Sequence, residues 1–223
     1  MVAAALSDVR RRIAVACERV GRAPEDVTLV AVSKAHSDNA VLAAYEAGQR
    51  DFGENRADAL RDRIAAGRLP ADIRWHFVGS VQRRKVAEIV GATFLLHSMD
   101  RERLARRWVG SGGGPALLQV NISREPQKHG VEPEEAAPLA LQIAEIGVDL
   151  RGLMTITALA AEPEESRREF IELAELRDVI RPDLPQVEEL SMGMTDDFET
   201  AIECGATMVR VGRAIFGERP GAR

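Results

Sequence analysis

The stretch VEELSMGMTDDFETAIECGATMVRVGRAIFG, residues 187–217, contains two successive strand-and-helix units. Each unit starts with a short apolar run, passes through a glycine and ends in a helical pattern, and the first helix is predicted to open at residues 195–197. Strands that alternate with helices usually pair in parallel through right-handed crossovers. The stretch therefore predicts the end of an α/β sheet of parallel strands.

The same alternation extends toward the N-terminus. Six further strand candidates precede the two above, in the order TLVAVSK, RDFGEN, IRWHFVGS, TFLLHSMD, ALLQVNIS and DLRGLMTI. The helical patterns between the strands include NAVLAAYEA, ADALRDRIAA, VQRRKVAEIV and RREFIELAELRDVI, and an amphipathic helix comes before the first strand. Eight units predict a closed (β/α)8 TIM barrel with one extra N-terminal helix, expected to form a single domain over residues 1–223.

An open doubly wound sheet is the alternative at the level of the fold. Such a sheet commonly carries a GxGxxG turn after its first strand, where it binds a dinucleotide. The sequence after TLVAVSK has no such turn. The barrel is therefore the favoured prediction.

Composition argues against several classes of protein. The 223 residues carry a formal net charge of −5 and contain no basic block, which disfavours nucleic acid as a partner. No apolar run approaches the roughly 20 residues that a membrane span needs. Cys17 and Cys204 form no CxxC pair, which disfavours a disulfide framework or a zinc site. We therefore expect a small-molecule partner and a location in the reducing cytosol.

Lysine is scarce, since Lys34, Lys85 and Lys128 are the only lysines among 30 basic residues. The guanidinium of arginine stays protonated, so arginine cannot replace a lysine that must act as a nucleophile. Lys34 alone follows directly on a predicted strand, at the barrel end where chemistry is usually found. A partly apolar rim disfavours the ammonium form and supplies a neutral amine for attack on a carbonyl. The alternative is an ordinary solvated lysine in a loop.

The loops after the seventh and eighth strands predict an anion site. Gly193 and Gly212 would let backbone N–H groups approach a phosphate, and Ser191 could add a hydroxyl donor. A carbonyl for Lys34 and a phosphate opposite it fit pyridoxal 5′-phosphate (PLP), or a phosphosugar in a Schiff-base aldolase. Arg210 favours PLP, because the ring nitrogen needs a partner and an arginine would leave it unprotonated.

Nine motifs occur in order between about residue 28 and residue 217, and together they resemble a known family. They are AVSK, FGEN, WHFVGSVQRRK, SMD, QVNIS, KHG, GLMTI, LSMGMTDDFETAI and VRVGRAIFG. The sequence is similar to the pyridoxal phosphate homeostasis proteins, whose barrel is of the alanine racemase N-terminal type without that enzyme's second domain. The resemblance implies control of the intracellular PLP supply by a monomer, with no turnover of a defined substrate.

The resemblance also implies a set of cofactor-binding residues. PLP would form a Schiff base on Lys34, and Arg210 would face the ring nitrogen. The other residues that it implies near the cofactor or its phosphate are Asn55, His76, Ser191, Met192, Gly212 and Arg213. For His76, a hydrogen-bonded core histidine is an equally good interpretation.

Two positions depart from the family pattern. Arg213 stands where the family usually has threonine or serine, so a hydroxyl donor is lost and the guanidinium either pairs with the phosphate or points into solvent. Arg84 replaces an asparagine in GSVQRRK, which leaves open whether the region around Lys85 makes a secondary cofactor contact.

A PLP-dependent amino-acid racemase is the main alternative function. A two-base racemase needs a second proton donor opposite the lysine. In the alanine racemase relatives this donor is a tyrosine from a second domain, and the one tyrosine here, Tyr45, falls in the helix after the first strand. The sequence therefore favours a PLP-binding protein over a racemase.

Overall fold

The fold is a closed barrel of eight parallel strands in chain order, in a computed structural model that describes residues 1–158 and 162–218. The strands are β1 (Thr28–Val32), β2 (Asp51–Glu54), β3 (Arg74–Phe77), β4 (Thr93–Met99), β5 (Ala116–Gln119), β6 (Leu150–Met154), β7 (Glu189–Ser191) and β8 (Met208–Val211). The barrel closes where β1 pairs with β8, from Thr28 opposite Met208 to Ala31 opposite Val211. The predicted (β/α)8 barrel is confirmed, whereas the single domain over residues 1–223 stays a prediction.

Helices connect the strands and surround them. They are α1 (Val2–Arg19), α2 (Asp38–Glu46), α3 (Ala57–Ala66), α4 (Val86–Ile89), α5 (Glu102–Val109), α6 (Pro133–Glu145), α7 (Pro163–Ile180), α8 (Phe198–Glu203) and α9 (Arg213–Phe216). The pattern VQRRKVAEIV forms less helix than predicted, since a 3-10 turn at Arg83–Lys85 precedes the single turn of α4. The predicted helix opening at residues 195–197 is a turn instead, and α8 begins at Phe198.

Helix α1 is the extra N-terminal helix, and it packs against α8 and α9. Its buried face consists of Leu6, Val9, Ile13, Ala16 and Cys17. On the same side, the Nε of Arg12 donates to Glu199 at 2.6 Å. The helix therefore covers the side of the barrel where β8 meets β1.

Two apolar clusters fill the molecule. The larger one combines strand and helix side chains, among them Phe52, Trp75 and Phe170, and forms the layer between the barrel and its helices. The smaller one contains only strand residues, namely Leu95, Leu117, Met154 and Met208, and lies inside the barrel. Between this smaller cluster and the carboxyl ends of the strands, the barrel interior is polar. A polar site can therefore form at that end of the barrel.

Two classes of feature were sought in the described ranges 1–158 and 162–218. No helix there is long and apolar enough to cross a membrane. No group of three or more His, Cys, Asp and Glu side chains there is arranged to hold a metal ion.

Candidate functional site

A cavity of about 690 Å³ opens at the carboxyl ends of the barrel strands. Much of its wall is built by residues that end or closely follow a strand, because the carboxyl ends of parallel strands lie at the same rim of the barrel. The strand-end residues that line it include Val32, Lys34, Asn55, Gly79, Gln119, Ile156, Thr195, Arg210, Gly212 and Arg213. Side chains from distant parts of the chain therefore line one shared pocket.

Five of the eight residues expected from the sequence line this cavity. They are Lys34, Asn55, Arg210, Gly212 and Arg213. Lys34 follows β1, and Gly212 follows β8, so the barrel closure makes these two distant residues neighbours across one pair of strands. The predicted amine and the predicted anion loop therefore share a pocket.

The charge of the pocket favours an anionic ligand. Its described lining contains four cationic side chains and two acidic ones, which are Lys34, Lys128, Arg210, Arg213, Asp196 and Glu218. Attraction between unlike charges is stronger in a recess that excludes part of the water. A ligand that carries a phosphate group has the negative charge that this pocket favours.

Arg210 forms the floor of the pocket and is almost completely buried, with 5% of its surface exposed. Its Nη1 donates to the Ser191 hydroxyl at 2.7 Å, and its Nη2 donates to the Thr155 carbonyl at 2.7 Å. Burial lowers the pKa of Arg210 to about 10, which still leaves the guanidinium protonated at neutral pH. The floor is therefore a fixed positive charge that donates hydrogen bonds and does not accept them.

A chain of buried hydrogen bonds continues from Arg210 through the barrel interior. Ser191 Oγ lies 2.8 Å from His97 Nδ1, and His97 Nε2 lies 2.8 Å from His76 Nδ1. His76 Nε2 lies 3.0 Å from Asp51 Oδ1, at the first residue of β2. The chain thus runs from the pocket floor to the opposite end of the barrel strands.

Each proton in this chain has an assigned place. Arg210 can only donate, so the Ser191 hydroxyl is left to donate to His97 Nδ1. Burial, together with the charges of His76 and Arg210, pulls the pKa of His97 well below its ordinary value of 6.5, so the ring is neutral at neutral pH. His97 then carries its proton on Nε2 and donates to His76, which in turn donates to Asp51.

Asp51 ends the chain as an acceptor. Burial pushes the pKa of Asp51 upward, but hydrogen bonds from His76 and Arg74 outweigh it, so the pKa falls below its ordinary value of 3.8. Arg74 Nε donates to Asp51 Oδ1 at 2.7 Å. Asp51 is therefore a carboxylate at neutral pH, and every donor in the chain has an acceptor.

The structure does not bring Ser191, His76 or Met192 to the pocket wall. The Ser191 hydroxyl and both ring nitrogens of His76 are engaged in the buried chain. The Met192 side chain belongs to the apolar layer outside the barrel, and its N–H donates to the Met208 carbonyl at 3.1 Å. Their cofactor contacts stay predictions, and for His76 the geometry is that of a hydrogen-bonded core histidine.

The loops after β7 and β8 meet at the predicted anion site. Arg213 lies between two carboxylates: its Nη2 donates to Asp196 Oδ1 at 2.5 Å, and its Nε lies 3.7 Å from Glu218 Oε1. Thr195 Oγ1 accepts a long hydrogen bond from the Ala214 N–H at 3.5 Å. Gly193 lies outside the pocket wall, where its missing side chain lets α8 pack closely.

Several pocket residues were not identified from the sequence. Lys128 and His129 reach the cavity on the loop between β5 and α6, and Thr195 and Asp196 reach it on the loop after β7. Loops lack the periodic pattern that marks strands and helices, so the sequence offered little signal for their direction. Among these residues, Thr195 had the clearest signal in the sequence, because it follows Gly193 in the predicted anion loop.

The chain matches the family model described as alanine racemase, N-terminal domain, over residues 5–220. It is 39% identical over 221 residues to the pyridoxal phosphate homeostasis protein of Aquifex aeolicus, covering 96% of each chain. It is 38% identical over 224 residues to the protein of the same name from Escherichia coli K12, covering 96% of this chain and 95% of that one. The similarity therefore extends over nearly the full length of both relatives.

Solved structures agree with these relatives. PipY of Synechococcus elongatus, solved with PLP bound, has a TM-score of 0.82 at 32% identity and covers 97% of this chain and 100% of its own. The same protein solved without PLP has a TM-score of 0.86 with the same identity and coverage. Alanine racemase of Corynebacterium glutamicum has a TM-score of 0.72 at 16% identity over 98% of this chain and 63% of that one, which shows a shared fold.

Proposed function

The chain belongs to the family of pyridoxal phosphate homeostasis proteins, and from this premise we propose that its barrel binds PLP as a Schiff base on Lys34 and serves intracellular PLP homeostasis. The observation that carries the proposal is the placement of Lys34, Arg210 and the β7 and β8 loops around one cavity. The relative PipY, whose structure holds PLP, has the same fold over nearly the whole chain.

The residues present fit this cofactor. PLP supplies an aldehyde carbon that a primary amine can attack. The Lys34 amine would add to that carbon, and a C=N bond would form as water leaves. Arg210 would donate to the ring nitrogen from the pocket floor and, as a donor only, would leave that nitrogen without a proton.

The phosphate would lie at the rim formed by the loops after β7 and β8. Thr195 offers a hydroxyl, Gly212 and Arg213 offer the N–H groups at the start of α9, and the Arg213 guanidinium offers charge. Asn55 lies in the same wall on the β2 side. We propose that Ser191 contributes indirectly, by accepting the hydrogen bond that orients Arg210.

We further propose that the protein acts as a monomer in the cytosol and turns over no defined substrate. The observation behind the second point is Tyr45, whose hydroxyl donates to Asp72 at 2.7 Å, outside the pocket wall. A two-base racemase would need such a donor beside the reacting carbon. Sustained formation of D-amino acids from L-alanine, L-serine or L-lysine by the purified holoprotein would contradict this point.

The decisive experiment is to identify the modified lysine. We expect the purified protein to be yellow, with an absorption band typical of a PLP imine that disappears in Lys34→Ala. After borohydride reduction, mass spectrometry should place the pyridoxyl group on Lys34. Lys128→Ala is the matched control, because Lys128 also lines the cavity and its loss should leave the adduct in place. An adduct on Lys128 or Lys85, or none, would overturn the proposal.

A further inference from the structure

The loop that carries Lys34 contains a strained residue. Ala35, next to Lys34, has a φ of 65°, and Arg124 is the other non-glycine residue with positive φ in the described ranges. The left-handed conformation is costly for an alanine because Cβ crowds the following carbonyl oxygen. Such strain persists only where surrounding contacts hold the backbone in place.

Arg63 of α3 supplies such contacts, in addition to the hydrogen bond from the His36 N–H to the Ser33 carbonyl at 3.0 Å. Its Nη2 donates to the carbonyl oxygens of Ser33, at 3.4 Å, and of His36. Its Nη1 donates to Asp38 Oδ1 at 3.0 Å, at the start of α2. The Arg63 side chain is only 10% exposed. One guanidinium therefore ties together the backbone on both sides of the Lys34–Ala35 pair.

Glu54 lies behind this guanidinium as a buried counter-charge. It is 1% exposed, Arg63 Nε lies 3.8 Å from its Oε2, and neither carboxylate oxygen makes a well-formed hydrogen bond to a described residue. Burial raises the pKa of Glu54, against the opposing influence of Arg63, the Asn55 N–H and Lys34. The carboxylate therefore interacts with both the guanidinium and the amine-bearing loop.

We propose that Arg63 is a positioning residue for Lys34, and that Glu54 compensates its buried charge. By donating from one Nη2 group to two carbonyl oxygens, Arg63 holds Ala35 in its left-handed conformation and so directs the Lys34 amine into the cavity. Without Arg63, Ala35 relaxes toward ordinary backbone angles, and the amine leaves the position that the aldehyde must meet. The inference rests on the proposed attachment of PLP to Lys34.

The first part of the test compares Arg63→Gln with Arg68→Gln. Arg68 pairs with the same carboxylate, with Nε at 2.9 Å from Asp38 Oδ2, but it is 67% exposed. The affinity of the PLP-free protein for PLP is measured by absorbance titration, and folding is checked by thermal unfolding. We expect Arg63→Gln to weaken PLP binding about tenfold and Arg68→Gln to change it less than about twofold. Equal affinities in the two variants would overturn the inference.

The second part is rescue by a residue that tolerates positive φ. Glycine adopts the left-handed conformation readily, so Ala35→Gly removes the strain that Arg63 has to hold. We expect the double variant Arg63→Gln/Ala35→Gly to bind PLP about fivefold more tightly than Arg63→Gln alone. A role of Arg63 in packing α3 would not be rescued by a change at residue 35, so absence of rescue would also overturn the inference.

The two proposals fail in different ways. If borohydride reduction of the unmodified protein left Lys34 unlabelled, the proposed function would be wrong. If Lys34 were labelled in that protein and Arg63→Gln bound PLP equally well, only the positioning role would be wrong.

Discussion

At the scale of single residues, the site depends on which partners its charged side chains already have. Arg213 pairs with Asp196 and Glu218 at the pocket rim. A bound phosphate would have to compete with these carboxylates for the guanidinium. Exchange of partners at an exposed ion pair costs little, because such pairs contribute little stability.

This competition gives a prediction for phosphate recognition. Asp196→Asn removes the stronger competitor and frees Arg213, so we expect the affinity for PLP to rise about threefold. Pyridoxal, which lacks the phosphate, should bind with unchanged affinity. Parallel absorbance titrations of both compounds measure the effect, and an equal gain for pyridoxal would contradict the role given to Arg213.

The buried chain behind Arg210 gives a prediction for stability. His97→Leu leaves the Ser191 O–H without an acceptor and a ring nitrogen of His76 without a partner inside the barrel. Each buried polar group that loses its partner costs about 1–3 kcal/mol, so we expect the free energy of unfolding to fall by about 3 kcal/mol. Urea unfolding measures it, and His129→Leu, at an exposed position, should change it by less than about 0.5 kcal/mol.

At the scale of elements, the barrel depends on glycines where two segments of backbone nearly touch. Gly79, just after β3, is such a position, since a Cβ there would lie 2.1 Å from the carbonyl oxygen of Asn55. Both residues line the pocket. The close approach therefore fixes the spacing of the loops that follow β2 and β3.

Gly79→Ala should separate these two loops. We expect a loss of about 3 kcal/mol in the free energy of unfolding, because the neighbouring atom is backbone and cannot rotate away. PLP affinity should fall as well, since Asn55 moves. Gly91→Ala is the matched control, because a Cβ at Gly91 has no neighbour within 4 Å. Similar unfolding curves for the two variants would contradict this account.

The elements also show how far the sequence can predict this molecule. The eight strand candidates correspond to the eight strands, and the clearest of them, such as TLVAV, are apolar because a parallel sheet is buried on both faces. The pattern VQRRKVAEIV overestimates its helix, because periodicity does not reveal that the chain must turn first. Residues at strand ends, such as Lys34 and Arg210, line the pocket as predicted. The direction of a strand is enough to decide at which end of the barrel its last residues lie.

The sequence does not reveal how deep inside the barrel a side chain at a strand end lies. Ser191 also ends its strand, but its hydroxyl is satisfied below the pocket floor by Arg210 and His97. The partner histidine comes from β4, which only the closed barrel brings near β7. The same limit applies to Lys128, which lines the pocket from a loop. The local sequence does not indicate the path that this loop takes.

At the scale of the whole molecule, two buried carboxyl groups make stability depend on pH in opposite directions. The pKa of Asp51 is lowered below 3.8, so its stabilisation is present above that pH and is lost as the pH falls through the lowered pKa. The pKa of Glu54 is raised above 4.5, so its folded form favours the proton. Its stabilisation is present below pH 4.5 and is lost as the pH rises through the raised pKa.

Glu54→Gln should therefore gain stability relative to the unmodified protein as the pH rises from 4.5 toward 7. Asp51→Asn should lose stability relative to it as the pH rises from below 3.8 toward 5. Urea midpoints measured across these ranges give the two slopes. The readout is the slope of the stability difference against pH, since a constant difference can arise from lost packing. Two slopes of the same sign would contradict the assignment.

The pairing of β1 with β8 has a consequence for the synthesis of the protein. The amine at residue 34 leaves the ribosome well before the loop at residues 212 and 213. Contacts between such distant segments form late, because the whole intervening chain must first be ordered. A nascent chain that ends before residue 212 therefore carries Lys34 without the loop that we propose for the vitamin's phosphate. If the cofactor is held as we propose, full retention of the vitamin then reports that β8 has paired with β1 and that the barrel has closed.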